Sequence, residues 1–576
     1  MLAIYLGVVS LLQMQNNPLR ALFPQLLSSH DHVYLDSAAT SHKPSSVIER
    51  LRTFYATENA NVHRSSHVQA AKTTEQFESV RQQVQQFIGA RSPSEIVWTK
   101  GATESINLVA NGLTASHFKG KKNIVLSALE HHANLVPWQQ LALRYELTLA
   151  IMPVDDNGIL LLEPSLALIN HDTALVAMSH VSNALGNINP ISPIIRKAKE
   201  VGALTLIDGA QAVSHLPVDV QALDCDFYVF SAHKMYGPTG LGVLFGKMPV
   251  LESLQPYQFG GEMIQQVEYH SATFQAPPYK FEAGTPNIAG VMGLGAALTF
   301  INLHRQQIHD IENELYLFLI NALRQVSGVR LWGDSNRSVA VQSFTVQGLN
   351  IQDLSILLSE QNIAIRTGHH CTMPLMKRLG IAGTLRVSMA CYNSIEDIQR
   401  FIDALSSAIA KLCYSNSPEI DKQQSSKSEA KDVLTLNSKT ASGENIKVLG
   451  QNVKAARGWD GVYRQIMLAG KELVRLPDFM KRSEHEIVGC ESQVWLHCEL
   501  HDQKVRLQGD SPSKIVRGLL AIVFEVLNEQ TPEYILSFDL SRYLHHLGLA
   551  RHLSPSRGNG LSAVVAEVKK FCRTTQ

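Results

Sequence analysis

The chain has 576 residues, 45% hydrophobic and 18% charged, with 51 basic against 51 acidic side chains. That length exceeds what one hydrophobic core serves and implies two or three domains. Balanced charge argues against nucleic acid as a partner, and no stretch reads as a transmembrane helix.

Residues 1–9 are apolar, lack a basic leader and are too short to span a bilayer, so residues 1–29 read as an N-terminal extension. From about 30 to 412, short β-branched runs alternate with longer helical patterns: strands at 124–126, 174–178, 204–207 and 227–230, and a helix over 190–201. This alternation predicts a mostly parallel sheet covered by helices, with ligand-binding residues at the carboxyl ends of its strands. Residues 413–446 are rich in Ser, Lys, Gln and Glu, too polar to offset the entropy of ordering, and read as a flexible linker. Residues 447–576 form a unit of small-domain size. Trp459, Tyr463, Ile466 and Met467 share a helical face, and Val494, Leu496, Cys498 and Leu500 alternate as a half-buried strand with Val505 and Leu507 in its hairpin partner. Ser511-Pro512 predicts an N-cap and first-turn proline for a helix through Phe524, and residues 561–571 a closing helix. Seven cysteines without paired metal-ligand spacing indicate free thiols in a reducing compartment, and no metal site.

The chemistry-bearing residues fall where strands end. Lys234, in Ser231-Ala232-His233-Lys234 after the 227–230 run, places an amine able to hold a carbonyl cofactor. Asp208 ends the 204–207 run, with Gln211 three residues on. Lysine for an aldehyde and a carboxylate for a ring nitrogen together point to pyridoxal phosphate, whose protonated ring acts as an electron sink. Gly101-Ala102-Thr103, after the strand-like 96–98, offers backbone N–H groups for a phosphate, with Ser231 and His233 as added donors. His131 is the candidate to stack on the ring and Gln211 to meet its hydroxyl oxygen. Singly these features have bland readings, a surface turn for Lys234 or a helix cap for Asp208; their ordered combination is what points to a cofactor. Cys371, in Arg366-Thr367-Gly368-His369-His370-Cys371, would supply a thiolate from a mobile loop, and Arg386 a bidentate clamp for an α-carboxylate. Cys490 precedes the second unit's hairpin, with Arg557 as possible electrostatic support for its anion; a packed core thiol is the competing reading.

Residues 30–412 resemble the Suf-type (group II) cysteine desulfurases of aminotransferase class V. The resemblance rests on Tyr34-Leu35-Asp36-Ser37-Ala38-Ala39-Thr40, Glu130-His131-His132-Ala133-Asn134, Ser182-Asn183-Ala184-Leu185-Gly186, Asp208-Gly209-Ala210-Gln211, the 231–240 stretch, Phe281-Glu282-Ala283-Gly284-Thr285-Pro286 and the run ending at Cys371. Residues 447–576 resemble the SufE-like sulfur acceptors through 459–476, the Cys490 segment, Gly509-Asp510-Ser511 and 553–560. The resemblance implies an α/β, PLP-dependent fold type I with a small C-terminal subdomain, followed by a small α+β SufE-like domain. It implies Lys234 as covalent anchor, Asp208 on the ring nitrogen, Gln211 on the ring oxygen and His131 stacked on the ring. Thr103, Ser231 and His233 would hold phosphate, joined by Thr285 from the partner of a homodimer. Asn183, Arg386 and Arg366 would handle the substrate. Cys371 would take sulfur from L-cysteine, leaving L-alanine, and pass it to Cys490, supported by Arg557 and Asp510, for delivery to a Suf-type iron–sulfur scaffold complex in the cytoplasm. Two departures stand out: Ser65 replaces a glycine after His63-Arg64, and Ala102 a threonine before Thr103, removing one hydroxyl. The alternatives are a selenocysteine lyase on the same scaffold and a non-catalytic iron–sulfur assembly module.

Overall fold

The computed structural model describes residues 17–28, 31–64, 66–414, 447–456, 458–487, 493–549 and 555–575; most of the expected linker and N-terminal extension lie outside them. The chain divides into two compact units, Met1–Gln347 with Leu357–Ile409, and Gly348–Ile356 with Ala410–Gln576.

The first unit is built on a seven-stranded sheet. Its strands are β1 (Ile96–Thr99), β2 (Asn123–Ser127), β3 (Thr148–Met152), β4 (Thr173–Ser179), β5 (Leu204–Asp208), β6 (Phe227–Ser231) and β7 (Gly242–Gly246). They lie in the order β1-β7-β6-β5-β4-β2-β3, and only β7 runs against the others. The strands expected at 124–126, 174–178, 204–207 and 227–230 each fall inside one of these. Successive residues serve opposite faces: Val125, Val176, Ile207, Tyr228 and Val243 enter one apolar core, and Leu126, Ala177, Leu206, Val229 and Leu244 another. Burial on both faces is why these strands read as nearly unbroken apolar runs. It also leaves the strand ends as the places where polar side chains can meet a ligand.

Around the sheet pack α1 (Val68–Phe87), α2 (Ala102–Gly112), α3 (Ile191–Glu200, the predicted 190–201 helix) and α4 (Ile288–Gln325). By length and composition α4 is the one described helix able to cross a membrane, but 67% of its most apolar stretch is buried inside the protein. Packing accounts for its hydrophobicity. A smaller antiparallel sheet follows, β8 (Val329–Trp332), β9 (Val341–Val346), β10 (Arg366–Gly368) and β11 (Thr384–Ser388), ordered β8-β9-β11-β10. It sets Arg366 directly opposite Arg386. Between β10 and β11 the chain turns through Cys371 into α5 (Met373–Leu379).

In the second unit, α6 (Gly458–Ala469) packs on α7 (Lys514–Leu527), beside the hairpin β12 (Trp495–His501) and β13 (Lys504–Asp510) and the closing helix α8 (Pro555–Thr574). Contact between α6 and α7 is close enough that a Cβ at Gly518 would strike the Ile466 carbonyl. The helix expected to open at Ser511-Pro512 begins later. β13 runs to Asp510, Ser511 Oγ accepts the Ser513 N–H (3.3 Å), and Ser513 is the N-cap, its side chain accepting from the Val516 N–H (3.2 Å).

One buried ion pair binds α1 to the segment that leads into α4. The Arg81 side chain is 1% exposed. It donates to the Ile96 carbonyl (2.7 Å) and to both Glu282 oxygens (2.7 and 3.0 Å), while Glu282 also accepts the Trp98 N–H (2.8 Å). Removing one partner strands the other charge, which costs more than the pair itself contributes. Arg81→Met is therefore expected to destabilise the first unit by about 3–5 kcal/mol, read by thermal or urea unfolding. A change below about 1 kcal/mol would contradict that assignment.

Candidate active site

The strand ends converge on a cavity of about 270 Å³. β5 contributes Asp208, 8% exposed, whose Oδ1 accepts the Ala210 N–H (2.9 Å). Burial raises its pKa above the usual carboxylate value, offset in part by that N–H and by the Lys234 cation. The turn after β6 brings Lys234 into the same cavity, and burial lowers its pKa to about 8, with Asp208 opposing and Arg386 and Arg366 reinforcing the shift. The carbonyl of neighbouring His233 is fixed by the Ser41 N–H (3.0 Å), Thr40 Oγ1 (3.1 Å) and Lys43 Nζ (3.0 Å). Beyond β2, His131 accepts the Ala133 N–H at Nδ1 (3.0 Å), which places the neutral ring's proton on Nε2. Burial lowers its pKa to about 4, as it does for His233, so both rings are neutral near pH 7.

At the end of β1, α2 opens with its first turn toward the cavity, and the Ala102 N–H donates to Ser231 Oγ (2.8 Å). Thr103, Ser231 and His233 line this end, as expected for an anion cradle. Gln211 lines the wall, and its Nε2 donates to the Ala38 carbonyl (2.6 Å), which leaves its second N–H and its Oε1 uncommitted by that contact. Beyond β4, Asn183 bridges two partners: its Nδ2 donates to the His370 carbonyl (2.7 Å) and its backbone carbonyl accepts from Arg386 Nη1 (2.8 Å). The tight turn behind it needs Gly186, at φ +84°, where a Cβ would meet the Val341 carbonyl.

Cys371 lines the same cavity, on a turn in which His370 and Cys371 both have left-handed backbone (φ +50° and +57°). Two such non-glycine residues cost about 1 kcal/mol or more each and persist because the turn is tied down. The His132 N–H donates to the Cys371 carbonyl (2.7 Å), His132 Nε2 accepts the Met373 N–H (3.1 Å), and the Cys371 N–H reaches His369 Nδ1 (3.1 Å). The loop expected from the sequence is a hydrogen-bonded turn, held both by neighbouring His369 and by His132, far away in the chain.

Of the other expected site residues, Thr285 is exposed and outside its own chain's cavity. Cys490 and the Arg557 side chain lie outside the described residues. The chain flanking Cys490 is paired, Ile487 N–H to the Val494 carbonyl (2.8 Å). Asp510 is 1% exposed and bound by Arg475 (3.0 Å) and Lys481 (2.8 Å), which hold its carboxyl below the usual range against the effect of burial. Sequence reasoning left three groups without a role. Asp36 meets both cavity arginines. Glu130, 3% exposed, is pushed up to about 7 by burial and accepts the Ser179 N–H (2.9 Å). His132 pins the cysteine turn. All three stood within quoted motifs, where only a contact map shows what they touch. Among the described residues no cluster of His, Cys, Asp or Glu is fit to hold a metal.

Residues 33–401 match the aminotransferase class-V family and residues 447–572 the Fe-S metabolism associated domain. A probable cysteine desulfurase of Pseudomonas putida is 46% identical over 401 residues, 69% of this chain and 99% of that one. A cysteine desulfurase of Dickeya dadantii is 46% identical over 391 residues, covering 67% of this chain and 95% of its own. The chain belongs to the cysteine desulfurases of aminotransferase class V. The desulfurase shares its fold with a solved Escherichia coli cysteine desulfurase carrying an S-sulfonic acid (TM-score 0.64, 38% identity, 68% of this chain and 98% of that). A cysteine desulfurase from Thermococcus onnurineus matches similarly (TM-score 0.65, 38% identity, 68% and 97%). The desulfurase uses pyridoxal phosphate, and the cavity fits it: a partly neutralised amine, a buried carboxylate seeking a cation, and a helix N-terminus with hydroxyl and imidazole beside it.

Burial of the Lys234 amine has a direct readout. In cofactor-free protein, acylation of Lys234 by acetic anhydride should reach half its limiting rate near pH 8, whereas surface lysines follow the ordinary value near 10.5. A Lys234 midpoint near 10.5 would contradict its desolvation.

Proposed function

We propose that this desulfurase transfers the sulfur of L-cysteine first to Cys371 and then to Cys490, for iron–sulfur cluster assembly. The observation that carries the reading is the shared cavity: the Cys371 turn opens onto the same space as Lys234 and Asp208. In this reading Lys234 anchors pyridoxal phosphate, Asp208 pairs with its ring nitrogen and Gln211 meets its ring oxygen. His131 covers the ring, and Thr103, Ser231 and His233 receive the phosphate. Once bound, the cofactor supplies an electron sink that acidifies the substrate Cα and loosens the sulfur.

The protein's own groups do the rest. Arg386, with Arg366 and Asn183, holds the substrate α-carboxylate and so aims its sulfur at Cys371. Lys234 Nζ, of lowered basicity once freed, takes the Cα proton. Neutral His131, its proton on Nε2, serves proton transfer on the other side. The Cys371 thiolate then forms an S–S bond to the substrate sulfur while the Cβ–S bond breaks, its electron pair remaining with carbon. The net change is L-cysteine plus a Cys371 thiol giving L-alanine plus a Cys371 persulfide. Cys490 attacks the outer sulfur, restoring the Cys371 thiol and leaving the persulfide on Cys490.

The division into a desulfurase at 30–412, a linker at 413–446 and a SufE-like acceptor at 447–576 supports that second step. Carrying donor and acceptor on one chain makes acceptance effectively intramolecular. Asp510 and Arg557 support the acceptor site. The assembly is read as a homodimer in which Thr285 completes the partner's phosphate site, working in the cytoplasm and handing sulfur to a Suf-type scaffold.

Replacing Cys371 with Ser should leave cofactor absorbance intact and reduce alanine formation from L-cysteine to background. Undiminished alanine would refute the attack by Cys371. Replacing Cys490 with Ser should allow one round of alanine formation per site and then stop in the absence of reductant; normal multiple turnover would refute the relay.

A further inference from the structure

The small sheet places Arg366 and Arg386 directly across from each other on adjacent strands. Like charges in that position repel, so the pair requires an anion. Asp36 is that anion. Its backbone bridges Ser388, two residues beyond Arg386, which sets its side chain beside both guanidinium groups. Arg386 Nη2 donates to Asp36 Oδ1 (3.0 Å), while Arg366 donates from Nε (3.1 Å) and Nη2 (3.0 Å) to Oδ2. The match is incomplete. Two cations face one carboxylate, and Arg386 Nε is buried without a partner on a side chain that is 3% exposed.

We propose that Asp36 is a positioning residue that occupies half of the substrate-carboxylate receptor and is shared, not displaced, when substrate binds. The idea rests on the reading that Arg386 and Arg366 receive the α-carboxylate. With Asp36 present, the corner carries one surplus positive charge and an orphaned donor, a match for a single carboxylate. Asp36 also fixes Arg366 beside Arg386, so that the incoming carboxylate meets both guanidiniums in one pose and is not captured by two free ones. It thus exchanges affinity for pose.

The test uses propionate, which has the carboxylate but no amine, as a competitive inhibitor of the holoenzyme and as a ligand in calorimetry. Asp36→Asn removes the competing charge. It should tighten propionate about tenfold, the scale of one charge-assisted hydrogen bond, and lower KM for L-cysteine, while kcat falls about tenfold through lost orientation. Arg366→Gln leaves Asp36 wholly on Arg386 and should weaken propionate about tenfold. Opposite signs from removing an anion and a cation are not what general loss of structure gives, and the second variant keeps the proposal testable if the first folds poorly. Unchanged or weaker propionate binding in Asp36→Asn, with binding abolished in Arg386→Gln, would overturn the role of Asp36 alone. Unchanged binding in Arg386→Gln would overturn the carboxylate reading on which it rests.

Discussion

An amine and a carboxylate that share one cavity out of bulk water, at the ends of adjacent parallel strands, set the conditions for everything else in this protein. Burial pushes Lys234 down to about 8 and Asp208 up, and each group partly offsets the other's shift. Neither charge can be left unsolvated without cost, so the fold supplies an enclosed space, polar walls and a reason to bind something that completes the charge balance. A cofactor with an aldehyde and a basic ring nitrogen meets both demands at once. The two neutral histidines follow from the same desolvation, since added cations would stand against Lys234.

Sheet topology turns this local demand into a site. Because both faces of the sheet are buried, the polar residues that follow β1, β2, β4, β5 and β6 have one common exit, the carboxyl edge. The small sheet then brings two arginines and the cysteine turn to that edge. Its hold on Cys371 is reciprocal. Asn183 and His132, from the large sheet's loops, fix the turn, and the turn's carbonyls in return fix those loops. Strained backbone at His370 and Cys371 is what such cross-bracing can sustain.

Much of this was legible in the residues because its signals are local. A lysine four residues past an apolar run, an aspartate ending another and a glycine opening a helix each announce themselves within a few positions. Asp36 did not, since its partners lie 330 and 350 residues away and its role exists only where β10 and β11 pair. The hydrogen bonds of the Cys371 turn were equally out of reach, because its glycine and polar residues carry no sign of partners that come from other loops. In the second unit Ser513, not Ser511, caps α7, and Ser511 Oγ instead accepts the Ser513 N–H ahead of the helix.

Sulfur is proposed to leave L-cysteine by way of Cys371 and then Cys490. Intact-protein and peptide mass spectrometry after a rapid single turnover with L-cysteine, quenched by a thiol-trapping alkylating agent, follows it directly. One added sulfur is expected on Cys371 at the earliest times, then the same sulfur on Cys490 with alanine in equal amount. Alanine or free sulfide released while Cys371 stays unmodified at every time point would contradict it.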